Sequence, residues 1–233
     1  MRLIAVTATK GSSLSGLTVR AYGRAREECK ALSYIARHPH EIIRHPEWLR
    51  QRNGVTTELR TPWWPYDAVS WVDANLSSGA RVFEYGGGGS TLWLEDRGAI
   101  ITTVEHDESW YRQLAVQLAP GAELLFRPSA ASGSVTSAVA PGFFDEYVAA
   151  IDEQPDSSLD LVIVDGRSRV ACARLALQKV KPEGLLLIDD TDRERYRPVI
   201  EMLKTWERHV VTGLKPGQRF PAQTSVWRCP PVV

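Results

Sequence analysis

The stretch Val82–Trp93, VFEYGGGGSTLW, decides how the chain is read. Val82, Phe83 and Tyr85 make the apolar end of a strand, four glycines follow, and Ser90-Thr91 opens a helix. A glycine loop between a strand and a helix marks a nucleotide-binding crossover, whose ligand sits beyond the carboxyl end of the strand. Glycines there let the backbone approach a ligand, and the helix N-terminus offers unpaired N–H groups. The dinucleotide fingerprint needs Gly-x-Gly-x-x-Gly. Counted from Gly86 its last position is Thr91, and counted from Gly87 it is Leu92. No lysine follows the glycines, so the phosphate loop of nucleoside triphosphatases is absent as well. A nicotinamide dehydrogenase is therefore disfavoured.

Outward from this loop the pattern alternates strand and helix to the end of the chain. RVFEY, AIITTVE, AELLFR, LDLVIVD and EGLLLID read as five strands, with helices DESWYRQLAVQLA, FFDEYVAAID, RVACARLALQKV and RERYRPVIEMLKTW between and after them. LDLVIVD is almost wholly apolar, as a strand covered on both faces should be. ERHVVTGL and AQTSVWRC then alternate with only the loop KPGQRFP between them, which predicts an antiparallel hairpin. The fold class is α/β: a Rossmann-like, doubly wound, seven-stranded sheet of five parallel strands plus that hairpin. Residues 1–60 read as an N-terminal helical extension, with a weak strand or a disordered start in residues 1–16 and short helices broken at Pro39 and Pro46. The extension serves as a lid or as a dimer contact, and the residues do not choose. Residues 61–233 form the main domain, entered by a helix with Ala68, Val69, Val72 and Leu76 on one face.

Basic and acidic residues balance at 28 each, so no global field draws the protein to nucleic acid or an anionic membrane. Three dispersed cysteines without a CxxC pair argue against disulfides and zinc, and fit a reducing cytoplasm. The start MRLIAVTATK has too short an apolar run for a signal peptide, and no run reaches the roughly eighteen apolar residues of a membrane helix.

With VFEYGGGGSTLW, TVEHDESWY, LVIVDGRSR and GLLLIDDTDRERY together, the chain resembles the class I methyltransferases that use S-adenosylmethionine (SAM). The resemblance spans Thr61 to Cys229, about seven-tenths of the chain, and Ser90 stands where the family has its third glycine. It implies SAM as cofactor. Glu84 would lie near the α-amino group, and the backbone of Tyr85, Gly86, Gly87, Gly88 and Ser90 would cradle the methionine portion. Glu105, 19 positions after Gly86, would take the ribose hydroxyls, with His106 beside the adenine. Transfer to oxygen of a small-molecule acceptor is the activity implied. An N-methyltransferase, a peptide or protein methyltransferase, and a SAM- or partner-binding protein without turnover are the rivals.

Asp165, Asp189 and Asp190 end strands four and five and should converge where the methyl group is presented. Clustered carboxylates invite Mg²⁺, and a metal-bound hydroxyl loses its proton readily. Asp165 is the candidate catalytic base as well as a metal ligand. Against this stands a structural reading: DDTDRERY caps the next helix, and Asp165 pairs with Arg167 or Arg169. Trp63, Trp64 and Tyr66 of TPWWPY are candidates for the substrate wall, or equally for core. The expected partners are a small-molecule substrate and, through the extension, a homodimer mate.

Overall fold

The computed structural model describes residues 14–232. The weak strand expected in residues 1–16 lies outside them, except for Leu14–Gly16, which begin a helix instead. Among the described residues, five helices precede the sheet: α1 (Leu14–Arg37), α2 (His40–Arg44), α3 (Trp48–Gln51), α4 (Thr56–Leu59) and α5 (Tyr66–Asn75). Then come β1 (Arg81–Tyr85), α6 (Gly89–Glu95), β2 (Ile100–Glu105), α7 (Glu108–Ala115), β3 (Glu123–Phe126) and α8 (Asp145–Ala149). The chain continues as β4 (Leu159–Val164), α9 (Arg169–Lys179), β5 (Val180–Asp189), α10 (Arg197–Met202), β6 (Glu207–Gly213) and β7 (Ala222–Arg228).

The strands form one seven-stranded sheet in the order β3-β2-β1-β4-β5-β7-β6. β1 to β5 pair in parallel, and β7 inserts antiparallel between β5 and β6. This is the five-plus-hairpin sheet read from the sequence. The last helix differs: α10 starts at Arg197 rather than Arg193. Pro198 lacks an N–H and is tolerated only in a helix's first turn, so Glu194–Tyr196 form a separate 3₁₀ turn before it.

Register is what builds the site. Tyr85 lies opposite Val104 of β2 and Val164 of β4, and Val164 lies opposite Ile188 of β5. The next residues along these strands, Gly86, Glu105, Asp165 and Asp189, therefore emerge at one level on one edge of the sheet. Alternation along β1 decides which way each side chain faces. Phe83 and Tyr85 join the core under α8 and α9, with Val162, Val164 and Leu186. Val82 joins the opposite core under α5, with Trp64, Val72 and Leu161. Among the described residues, no helix is long and apolar enough to cross a membrane.

Candidate functional site

A cavity of about 590 Å³ opens at the carboxyl edge, walled by the glycine loop, Glu105, His106, Asp165 and the ends of β5 and β6. Gly86 has φ +88°, and a Cβ on it would come within 2.7 Å of Gly166 Cα, so the loops after β1 and β4 meet backbone to backbone. A Cβ on Gly89 would lie 2.1 Å from the Thr61 carbonyl oxygen. A Cβ on Gly87 would lie 2.6 Å from the Leu114 and Thr103 side chains, so chain packing presses on three of the four glycines, and the loop from Gly86 to Ser90 still lines the cavity.

Glu84 is fully buried and does not face the cavity. Strand alternation turns it toward α6, where its carboxylate accepts from Ser90 Oγ, from Thr91 Oγ1 (2.5 Å) and from Thr103 Oγ1 (3.1 Å). Burial raises its pKa to about 7, against the three hydroxyls that favour the anion. The resemblance had set Glu84 at a cofactor amino group, but its oxygens are spent on the fold. Ser90, in place of a glycine, supplies one of those hydroxyls. Tyr85 is likewise core, with its hydroxyl donating to the Val148 carbonyl at 2.7 Å.

Glu105 does face the cavity. Its Oε1 accepts from the backbone N–H groups of His106 (2.7 Å) and Asp107 (2.8 Å), which fixes the carboxylate. Its other oxygen accepts no hydrogen bond among the described residues. His106 Nδ1 sits 2.6 Å from Oε1 in a geometry that aligns no hydrogen bond, and it has no other partner among those residues. Trp110, which sequence reading passed over, donates its indole N–H to the Gly87 carbonyl at 2.6 Å and walls the same side. Its only signal was its place in TVEHDESWY, one turn after the helix N-cap Asp107.

The three aspartates converge as expected, but around a guanidinium. Arg169, at the start of α9, donates to Asp165 Oδ1 (2.8 Å) and to the carbonyls of Gly166 (3.1 Å) and Asp189 (2.5 Å). It also lies 3.3 Å from Asp190. Lys215 approaches Asp189 to 3.5 Å with both side chains buried, and Arg193 holds Asp190 at 2.8 Å. Thr224 donates to Asp189 at 2.5 Å. The donor set does not fit Mg²⁺, because cationic side chains already neutralise the oxygens a metal would take. Among the described residues, no group of three or more His, Cys, Asp or Glu side chains is placed to hold a metal ion. The magnesium site on Asp165, Asp189 and Asp190 is therefore corrected to an ion-pair network. The helix-cap reading fails too, since neither Asp189 nor Asp190 caps α10. Burial and the nearby Asp189 charge raise the Asp165 pKa, against Arg169 and Lys215. Burial and Asp189 raise that of Asp190 as well.

Of the three aromatic candidates, only Trp63 lines the cavity, with Lys215 Nζ 4.8 Å from its ring centre. Trp64 is fully buried in the α5 core, its indole N–H 3.4 Å from Asp165 Oδ2. Tyr66 stacks on His45 at 4.9 Å and donates to Gln51 at 2.8 Å, away from the cavity. The proline on each side of Trp63-Trp64 and the alternation between them explain the split. The extension straps down the β6–β7 loop that carries Lys215 and Gln218. Trp48 donates to the Gln218 carbonyl at 2.9 Å, Gly217 N–H to the Gln51 carbonyl at 2.9 Å, and Leu214 N–H to Glu41 at 3.2 Å. Nothing local in the sequence pointed to Lys215, because its partner Asp189 comes from a strand far back in the chain.

No family model and no curated protein matches the chain. Solved structures do. A methyltransferase-like protein from Silicibacter pomeroyi is 22% identical over 74% of this chain and 93% of that one, at a TM-score of 0.49. A tRNA methyltransferase from Aquifex aeolicus is 15% identical over 72% and 70%, at 0.49. A precorrin 8W decarboxylase from Methanobacterium thermoautotrophicum is 14% identical over 70% and 89%, at 0.50. The last of these shares the fold of this chain, a doubly wound seven-stranded sheet in the order β3-β2-β1-β4-β5-β7-β6 with a lone antiparallel β7.

Proposed function

We propose that this chain transfers a methyl group from SAM to an oxygen atom of a small-molecule acceptor. The observation that carries the reading is the shared register level, which gathers the glycine loop, Glu105 and Asp165 around one cavity. The residues present fit SAM. Glu105 keeps one carboxylate oxygen for the ribose hydroxyls, and the backbone from Gly86 to Ser90 with Trp110 forms the methionine side. His106 borders the adenine side. When bound, SAM supplies an electrophilic methyl on a sulfonium that departs as a thioether.

Asp165 then takes the proton of the acceptor hydroxyl, and Arg169 and Trp64 hold its carboxylate toward the cavity. Trp63 and Lys215 wall the acceptor side, and the extension acts as a fixed cover through Thr56 and the loop it straps down. Methylation of nitrogen is the second reading, favoured by one observation: both Asp165 oxygens already have donors, and a neutral amine needs no base to attack. Incubation with methyl-tritiated SAM and a panel of phenols, alcohols and amines tests the proposal. Label in an ether product supports it, label in an amine supports the second reading, and bound SAM with no labelled product in any case overturns both.

A further inference from the structure

Beside the transfer cavity lies a second one of about 360 Å³, and Arg169 is a wall of both. Its lining contains no carboxylate. Thr136, Ser137 and Ser168 bring hydroxyls, and Arg174 and Arg195 bring guanidinium groups. Arg193 and Arg197, on either side of Arg195, are paired with Asp190 at 2.8 Å and Glu194 at 3.1 Å. Arg174 and Arg195 have no carboxylate partner among the described residues. Arg195 lies 5.1 Å from the ring centre of the buried Tyr196, which limits its freedom.

The opposite wall is fixed as well. Ser168 Oγ donates to the Thr136 carbonyl at 3.0 Å, Phe144 N–H donates to the Val135 carbonyl at 2.7 Å, and Asp145 accepts from Ser134 and Val135. The loop between β3 and α8, which carries Thr136 and Ser137, is therefore held along the groove by its own hydrogen bonds.

We propose that this groove binds a phosphate group carried by the methyl acceptor. The assignment to the acceptor rests on the methyl-transfer reading above. Two guanidinium groups lining one groove with no carboxylate beside them are complemented by an anion, and their planar forks suit phosphate oxygens. A phosphate dianion matches two cations and has oxygens left for the Thr136 and Ser137 hydroxyls, more than a carboxylate offers. The glycine loop does not line the groove, so the carboxylate of SAM is not the anion it takes. Arg169 is a wall of both spaces and holds Asp165 on its other side, so a phosphate in the groove sits against the residue that positions the base.

Calorimetric titration of the full chain with inorganic phosphate, with and without saturating SAM, tests this. Phosphate should bind, its affinity should fall with added chloride, and it should bind equally well with SAM present. Arg174→Gln and Arg195→Gln should each weaken it by about tenfold or more while SAM affinity stays put. Arg112→Gln, at an exposed arginine of α7, should change neither. Both side chains at issue are exposed, and unchanged SAM affinity in the variants reports that they fold. Phosphate binding that survives both substitutions, or that SAM displaces, overturns the site. Phosphate binding lost in the variants of a protein that takes no SAM keeps the site but removes its assignment to a methyl acceptor.

Discussion

Glu84→Gln offers a quantitative test, because the environment of Glu84 is closed and its partners are known. The side chain is buried among three hydroxyls, and its pKa rises from 4.5 to about 7. A carboxyl group whose folded pKa is raised binds its proton more tightly in the fold than in the unfolded chain. Its stabilising contribution is full below about 4.5 and is lost as pH rises through about 7. At 1.36 kcal/mol per unit, that rise corresponds to about 3 kcal/mol between the two limits. Glutamine keeps the shape, accepts from hydroxyls through its one oxygen, donates to a hydroxyl through its amide nitrogen, and carries no charge. The stability of Glu84→Gln relative to the parent protein should therefore increase by about 2–3 kcal/mol between pH 5 and pH 8. Urea unfolding at matched ionic strength across that range measures it directly. A difference that stays flat with pH would mean that Glu84 is ionised throughout and that its burial does not set its proton affinity. SAM affinity in this variant should be close to that of the parent, since the side chain does not reach the cavity.

The other expectations concern the cavity itself. Asp165→Asn should lower turnover by about a hundredfold to ten-thousandfold with SAM binding kept. In the parent, activity should fall as pH drops through the raised Asp165 pKa, on a limb above the ordinary carboxylate value of about 4, and the variant should lack that limb. Arg169→Met leaves the Asp165 and Asp190 side chains without their shared cation, so it should cost about 3–5 kcal/mol in urea unfolding; a loss under 1 kcal/mol would contradict the network. Exhaustive chelation with EDTA should leave methyl transfer unchanged. Trp110→Phe removes the donor to the Gly87 carbonyl and should weaken SAM binding about fivefold, which calorimetry reads.

Much of the architecture was legible because its signals are local. Apolar runs ending in Gly86, Glu105, Asp165 and Asp189 marked four strand ends, and parallel pairing in register gathers whatever follows such ends. The hairpin was legible from a loop too short for a crossover. What the sequence concealed is the direction of each side chain at those ends. Glu84 was assigned by motif position, yet the period of two along β1 sends it toward α6. Asp165, Asp189 and Asp190 lie together, and the pairing of Asp165 with Arg169 was one of two readings the sequence offered, but the charge balance depends on Lys215 as well. Arg169 opens α9 four positions after Asp165, whereas Lys215 comes from the β6–β7 loop. Trp63 and Trp64 are adjacent in sequence and face opposite ways, a distinction no composition can make. The fixed position of the β6–β7 loop comes from Trp48, Gln51 and Glu41 in the extension, contacts that span most of the chain.

The most direct test of the account is calorimetric titration of SAM into the parent protein and into Glu105→Ala. One-site binding to the parent that is weakened at least about tenfold in the variant is expected, since the substitution removes the acceptor aimed at the ribose hydroxyls. No heat with the parent, or equal affinity in the two proteins, would contradict the placement of SAM in this cavity.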